Sequence, residues 1–205
     1  FAEARISARA VPGGVALAVR GERRYRLRAV NLVGVARRSL DEVQQDLSLR
    51  SSTFVTEASV TAALRRVEVA YHDTGYPHAR AIPTWRETDD PGTRVLRVEV
   101  EEGAPVRVVS TRVEGAPPAQ RAALEAALGL SRGSLADPRR ARAAVDPMRE
   151  ALRRAGYLEA QVEAPRFDPV DGDGDRVAVA VSITPGPQYS VQWQGVRSFD
   201  AADLT

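Results

Sequence analysis

The chain has 205 residues, 43% of them apolar and only 5% aromatic, with 27% charged and a formal net charge of +2, a balance that suits small layered modules filled by Val, Leu and Ala rather than one deep core. All 29 basic residues are Arg and there is no cysteine, which excludes a disulfide framework, a Cys-ligated zinc and a thiol nucleophile. No apolar run approaches the roughly 18–20 residues of a membrane-crossing helix and no signal peptide opens the chain.

The first residues, Phe1-Ala-Glu-Ala4-Arg-Ile6, already alternate like a strand, which predicts a piece of a longer protein. They run through the turn Pro12-Gly13-Gly14 into a second alternating strand, Val15/Leu17/Val19. Alternation places one face on a core and the other in water. Residues 1–21 therefore read as the trailing β-hairpin of a preceding unit.

A complete unit is predicted over 22–103. Its opening strand carries Tyr25, Leu27, Val30 and Leu32 and ends at Gly34; Leu47 and Leu49 follow, and Thr56 is a candidate helix N-cap. The helix after it places Val60, Leu64, Val67 and Tyr71 on one face. Gly75-Tyr76 stops that helix, glycine supplying the left-handed residue. Two strands joined at Asp89-Asp90-Pro91-Gly92 close the unit, the first through Ala79 and Ala81, the second through Leu96, Val98 and Val100.

A second unit over 104–186 repeats this order after about 80 residues, the kind of period that marks a repeat architecture. Val106, Val108, Thr111 and Val113 lead to Gly115, and Leu128 and Leu130 match Leu47 and Leu49. Asp137 is the N-cap candidate, with Pro138 at the favourable first helical position. One long helix is expected through Ala141, Val145, Met148 and Leu152, kinked by Pro147. Gly156-Tyr157 ends it, and strands follow through Ala160 and Val162, then Val177, Val179, Val181 and Ile183, across the turn Asp171-Gly172-Asp173-Gly174. Residues 187–205 open a third unit, with a strand from Tyr189 to Gly195 and a helix start near Ser198-Phe199-Asp200.

The ordered set resembles the POTRA domains of BamA- and TamA-type outer-membrane assembly proteins. The carriers are the opening strand ending in Gly (Gly34, Gly115), the helix-ending Gly75-Tyr76 and Gly156-Tyr157, and closing strands that run into Glu102-Gly103 and Pro185-Gly186. The resemblance implies an α+β fold of tandem β-α-α-β-β modules, each a three-stranded sheet covered by two helices. It further implies a place in the periplasm of a Gram-negative bacterium, N-terminal to a membrane β-barrel, and partners that are unfolded outer-membrane proteins and accessory lipoproteins.

The resemblance makes the strand after Gly-Tyr the exposed sheet edge. Pro83 and Pro165 agree, since proline is tolerated in sheets essentially on edges or at bulges. An unpaired edge pairs with an incoming strand through backbone groups, with little sequence preference. The expected strand-binding ladders are Ala79, Arg80, Ala81 and Ile82 in one unit and Ala160, Gln161, Val162, Glu163 and Ala164 in the other. A proline at Ala160 or Val162 is expected to abolish capture and leave the fold intact.

Other candidates weigh less. His72, Asp73 and His78 could suggest a metal, but Gly75 separates the histidines and there is no third. Asp171-Gly-Asp173-Gly-Asp175, with Asp168 nearby, resembles a calcium loop, but Ser182 stands where its closing Glu belongs, so a polar hairpin turn fits better. Arg139, Arg142, Arg149 and Arg153 line a helix face interrupted by Asp146 and Glu150, which reads as a solvated face with helical ion pairs. Trp85 and Trp193 read as packing residues, and Gly103-Ala-Pro105 and Gly186-Pro187 as short joints. Nothing calls for a cofactor, a nucleic-acid partner or catalysis. A two-partner secretion transporter and an envelope or division docking module are the alternatives to an assembly factor.

Overall fold

Residues 4–21, 23–170, 172 and 174–190 are described by a computed structural model, in which the chain divides into two compact units at Pro105 and Val106. Most of the strand expected from Tyr189 to Gly195, with Trp193, the helix start expected near Ser198-Phe199-Asp200, and the turn residues Asp171 and Asp173 lie outside the described residues.

Strands β1 (Ala4–Val11) and β2 (Gly14–Gly21) form a separate antiparallel hairpin. Pro12-Gly13 makes its turn, Gly13 taking a φ of 86°. The register sets Ala8 against Leu17 and Ala10 against Val15, with Ile6 two residues before Ala8, so apolar side chains share one face. That face is uncovered among the described residues: Ile6 is 69% exposed and Leu17 68%.

The rest of the first unit runs β3 (Tyr25–Val33), α1 (Leu40–Leu47), β4 (Phe54–Val55), α2 (Glu57–His72), β5 (Arg80–Glu87) and β6 (Thr93–Glu101). Its sheet has the order β4-β3-β6-β5. The first and last long strands, β3 and β6, pair in parallel, and β5 lies antiparallel to β6 at the edge. Helix α2 forms because the Thr56 hydroxyl accepts from the Ser59 amide while the Ser59 hydroxyl accepts from the Thr56 amide. Its face Val60, Leu64, Val67 and Tyr71 is buried, with Val43 and Leu47 of α1 and Leu27, Leu96 and Val98 of the sheet. Each such side chain contributes about 1.5–3 kcal/mol by leaving water.

The second unit repeats the order as β7 (Arg107–Glu114), α3 (Arg121–Leu128), α4 (Pro138–Ala143), α5 (Val145–Arg154), β8 (Gln161–Val162), β9 (Arg166–Pro169) and β10 (Arg176–Thr184). Here β7 and β10 are parallel, and β8 and β9 pair antiparallel with β10. Its core gathers Val108, Val113, Leu124, Leu128, Met148, Leu152, Val179 and Val181.

The architecture is the expected tandem β-α-α-β-β with three local corrections. In the first unit β4 adds a two-residue fourth strand, paired only to Tyr25 and Arg26. In the second, the strand after Gly156-Tyr157 is split into β8 and β9, and Pro165 sits in the break. The long helix expected there is two helices separated by Ala144. Pro147 has no N–H to donate to the Ala143 carbonyl four residues back, and the helix parts at that point. Arg66 holds the corresponding place in uninterrupted α2 and donates to the Asp46 and Leu47 carbonyls that end α1.

Gly34 and Gly115 explain why both opening strands end in glycine. Each has positive φ, and a Cβ on Gly34 would collide with the Val100 carbonyl oxygen, on Gly115 with that of Ile183. The chain leaves β3 and β7 by crossing directly over the closing strand's backbone.

Candidate functional site

In an antiparallel pair, neighbouring residues alternate between bonding the partner strand and pointing their N–H and C=O outward. Ala81 stands opposite Val100, and its N–H points outward, because it donates to the Glu68 carboxylate of α2 at 3.0 Å. Ala81, Pro83, Trp85 and Glu87 are therefore the residues whose backbone faces away from β6. Pro83 has no N–H, so Trp85 carries the first outward donor that is neither capped nor absent. His72 closes the start of the same edge: its Nε2 lies 3.3 Å from the Ala79 carbonyl oxygen, which can only accept. Glu68, His72, Pro77, His78, Ala79 and Arg80 line a cleft of about 320 Å³ at this corner. His72 is thus a backbone partner of the edge strand.

The second unit presents a different edge. Glu163 donates to the Ser182 carbonyl at 3.0 Å, so Glu163 and Gln161 face β10 and Val162, opposite Ile183, turns its N–H and C=O outward. Among the described residues no side chain caps that N–H. The ladder expected over 160–164 is shorter than its five residues. Only Gln161 and Val162 are strand, Glu163 adds one bond, and Ala160 and Ala164 lie outside the strand. Pro165 allows no regular pairing until Arg166. The Ala160 N–H is also engaged, donating to the Tyr157 carbonyl. A proline there would remove a fold bond, contrary to the expectation that it leaves the fold intact.

Of the first expected ladder, Arg80, Ala81 and Ile82 lie in β5 and Ala79 just before it. Ala79, Ala81, Ala160 and Val162 have buried side chains, and Ile82 is exposed. The glycines and tyrosines that mark the repeat stand together in each unit. Gly75 and Gly156 have positive φ, and Tyr76 and Tyr157 donate to the Tyr71 and Leu152 carbonyls. The sequence reading missed Glu68 and His72 as caps of the edge strand. The signal for them is their i, i+4 spacing on α2, just before the strand they close.

A second polar cluster belongs to the first unit alone. Glu102 Oε1 accepts from the Ala36 and Arg37 amides at 2.9 and 2.8 Å and from the Tyr71 hydroxyl at 3.0 Å. The Arg38 guanidinium lies 5.2 Å from the centre of the Tyr71 ring and 2.7 Å from Asp46. Burial, reinforced by Glu102, pushes the Tyr71 hydroxyl well above the ordinary tyrosine range. Trp85 packs on Tyr25 with ring centres 5.9 Å apart, and Arg94 covers the Tyr25 ring at 3.9 Å. On α5, Arg149 pairs with Asp146 at 2.6 Å and Arg154 with Glu150 at 3.2 Å.

Residues 106–186 match the POTRA family, described as surface antigen variable number repeat. The match spans the second unit, and the first unit repeats the same strand pairing and helix order. Among solved structures, the chain is similar to BamA POTRA3-5 of Haemophilus influenzae, at 19% identity over 90% of this chain and 77% of that one, with a TM-score of 0.49. It is similar to POTRA1-2 of Anabaena Omp85, at 14% identity over 78% of this chain and 96% of that one, with a TM-score of 0.41. The third, CdiB from Escherichia coli, is 20% identical over 81% of this chain and 28% of that one, with a TM-score of 0.37. No curated protein matches the chain.

Proposed function

We propose that this array is a substrate-receiving and docking scaffold on the periplasmic face of the outer membrane, part of a BamA/TamA-type assembly factor whose β-barrel lies outside this chain. It binds unfolded outer-membrane protein strands by adding them to a sheet edge and catalyses no reaction. In this reading 1–21 is the closing hairpin of a preceding module, which accounts for its uncovered apolar face, and 187–205 opens a following one. Accessory lipoproteins dock on the same array.

The observation that carries the reading is the outward backbone of Val162 on an edge with no strand beyond it among the described residues. A β-barrel precursor is a series of strands, and backbone pairing accepts many sequences.

Val162→Pro tests it. The substitution removes an outward donor and no bond to β10, so the far-UV spectrum should persist while affinity for a fluorescent, unfolded outer-membrane strand peptide falls at least about tenfold, the loss of one or two backbone bonds. Unchanged affinity in the folded variant would show that the strand does not add at Val162, and no binding of the peptide by either protein would contradict the proposal.

A further inference from the structure

We infer that the two modules divide the work: the start of the first module's edge is closed by Glu68, and the second module's edge receives the strand, favouring one that carries carboxylates. The inference rests on the strand-receiving reading and adds which edge serves and what chemistry it prefers.

The closure follows from donor and acceptor counting. A strand laid against β5 meets first the outward-facing backbone of Ala81 and Pro83. The Ala81 N–H is held by the Glu68 carboxylate at 3.0 Å, Pro83 has none, and the Ala79 carbonyl is held by His72. An incoming strand would have to expel a charged acceptor from a backbone donor, a bond stronger than the neutral one replacing it.

In the second module Arg149 and Arg153 occupy the places of Glu68 and His72, counted back from Gly156 as those are from Gly75. Arginine has five donors and no acceptor, so neither can cap the Val162 N–H as Glu68 caps Ala81. The same exchange replaces a carboxylate beside the edge with two cations on the helix that packs against β8. Arg149 is already paired with Asp146, whose side chain is largely exposed, so a strand carboxylate exchanges one exposed partner for another. The occupant is an extended, unfolded peptide with acidic side chains between its apolar ones.

The experiment uses the full 205-residue chain, labelled for NMR. Amide hydrogen exchange should show Ala81 protected in the wild type and in Glu68→Gln, which keeps an acceptor, and unprotected in Glu68→Ala; the Val162 amide should exchange fast in all three. Titration with a synthetic peptide alternating valine and glutamate should then shift Gln161–Glu163 in the wild type. Shifts over Arg80–Glu87 should appear only in Glu68→Ala. A glutamine version of the peptide, or Arg153→Gln, should bind about 2- to 5-fold more weakly, the size of an exposed ion pair.

Wild-type shifts on β5, or on β3 or β7, with Val162 unmoved would overturn the inference and leave strand reception standing. Equal exchange at Ala81 in the wild type and Glu68→Ala would overturn the closure. Binding to neither edge in either protein would overturn strand reception and the inference with it.

Discussion

The hydroxyl of Tyr71 donates to the Glu102 carboxylate at 3.0 Å, joining the middle of the first module's core to the end of its closing strand. Leu152 and Pro185 hold these places in the second module, so the junction is polar in one copy and apolar in the other. A carboxylate that also takes the Ala36 and Arg37 amides fixes the chain where it leaves β3. Tyr71→Phe should therefore destabilise the chain by about 1.5 kcal/mol, the size of a hydrogen bond to a charged group, as read by urea denaturation.

The same pair predicts a pH dependence. The folded-state pKa of Tyr71 is raised, by burial first and by Glu102 second, so the folded chain holds its proton where the unfolded chain, near the ordinary value of about 10, has lost it. Stability from this group is fully present below about pH 10 and declines as pH rises beyond it. Denaturation at pH 9 and 11 should show the loss, and Tyr71→Phe should show less of it.

Glycine is required where the opening strand ends. In Gly34→Ala or Gly115→Ala the new Cβ meets the Val100 or Ile183 carbonyl oxygen, backbone that cannot swing aside, at a positive φ. Each change should cost at least about 2 kcal/mol, combining the strain of that conformation with the collision. Gly13→Ala meets nothing and should cost only the φ term, which makes it the control.

Restoring the missing donor in the broken helix should join its halves. In Pro147→Ala, amide 147 gains the Ala143 carbonyl as its acceptor, and stability should rise by about 1 kcal/mol. Protection of amide 147 from exchange and helical carbon shifts at Ala144 would confirm it; an unprotected amide would mean that packing sets the break.

The helix caps were legible because their chemistry is local. Thr56 and Asp137 cap the helices they precede, and truncating either to Ala should cost about 1 kcal/mol. The buried face of α2 was legible from spacing, and the Gly34 and Gly115 strand ends from recurrence. The disturbance by Pro147 was legible as a kink, but its place at Ala144 was not, since a proline's missing donor is felt one turn upstream of the residue itself. Strand β4 escaped notice because two residues show no alternation. The split at Pro165 was foreshadowed by the proline, yet its effect on the ladder depends on the register with β10. The Glu68 cap needs both that register and the height of α2 above β5, neither of which lies in any local stretch of sequence.

The central claim, that this array takes up an unfolded strand along an open sheet edge, is tested most directly by titrating the labelled 205-residue chain with an unfolded outer-membrane strand peptide and following every amide. The account predicts saturable shifts centred on Gln161, Val162 and Glu163, with new protection at the Val162 amide as it gains a partner. Shifts confined to helix faces or loops, or none at millimolar peptide, would contradict it.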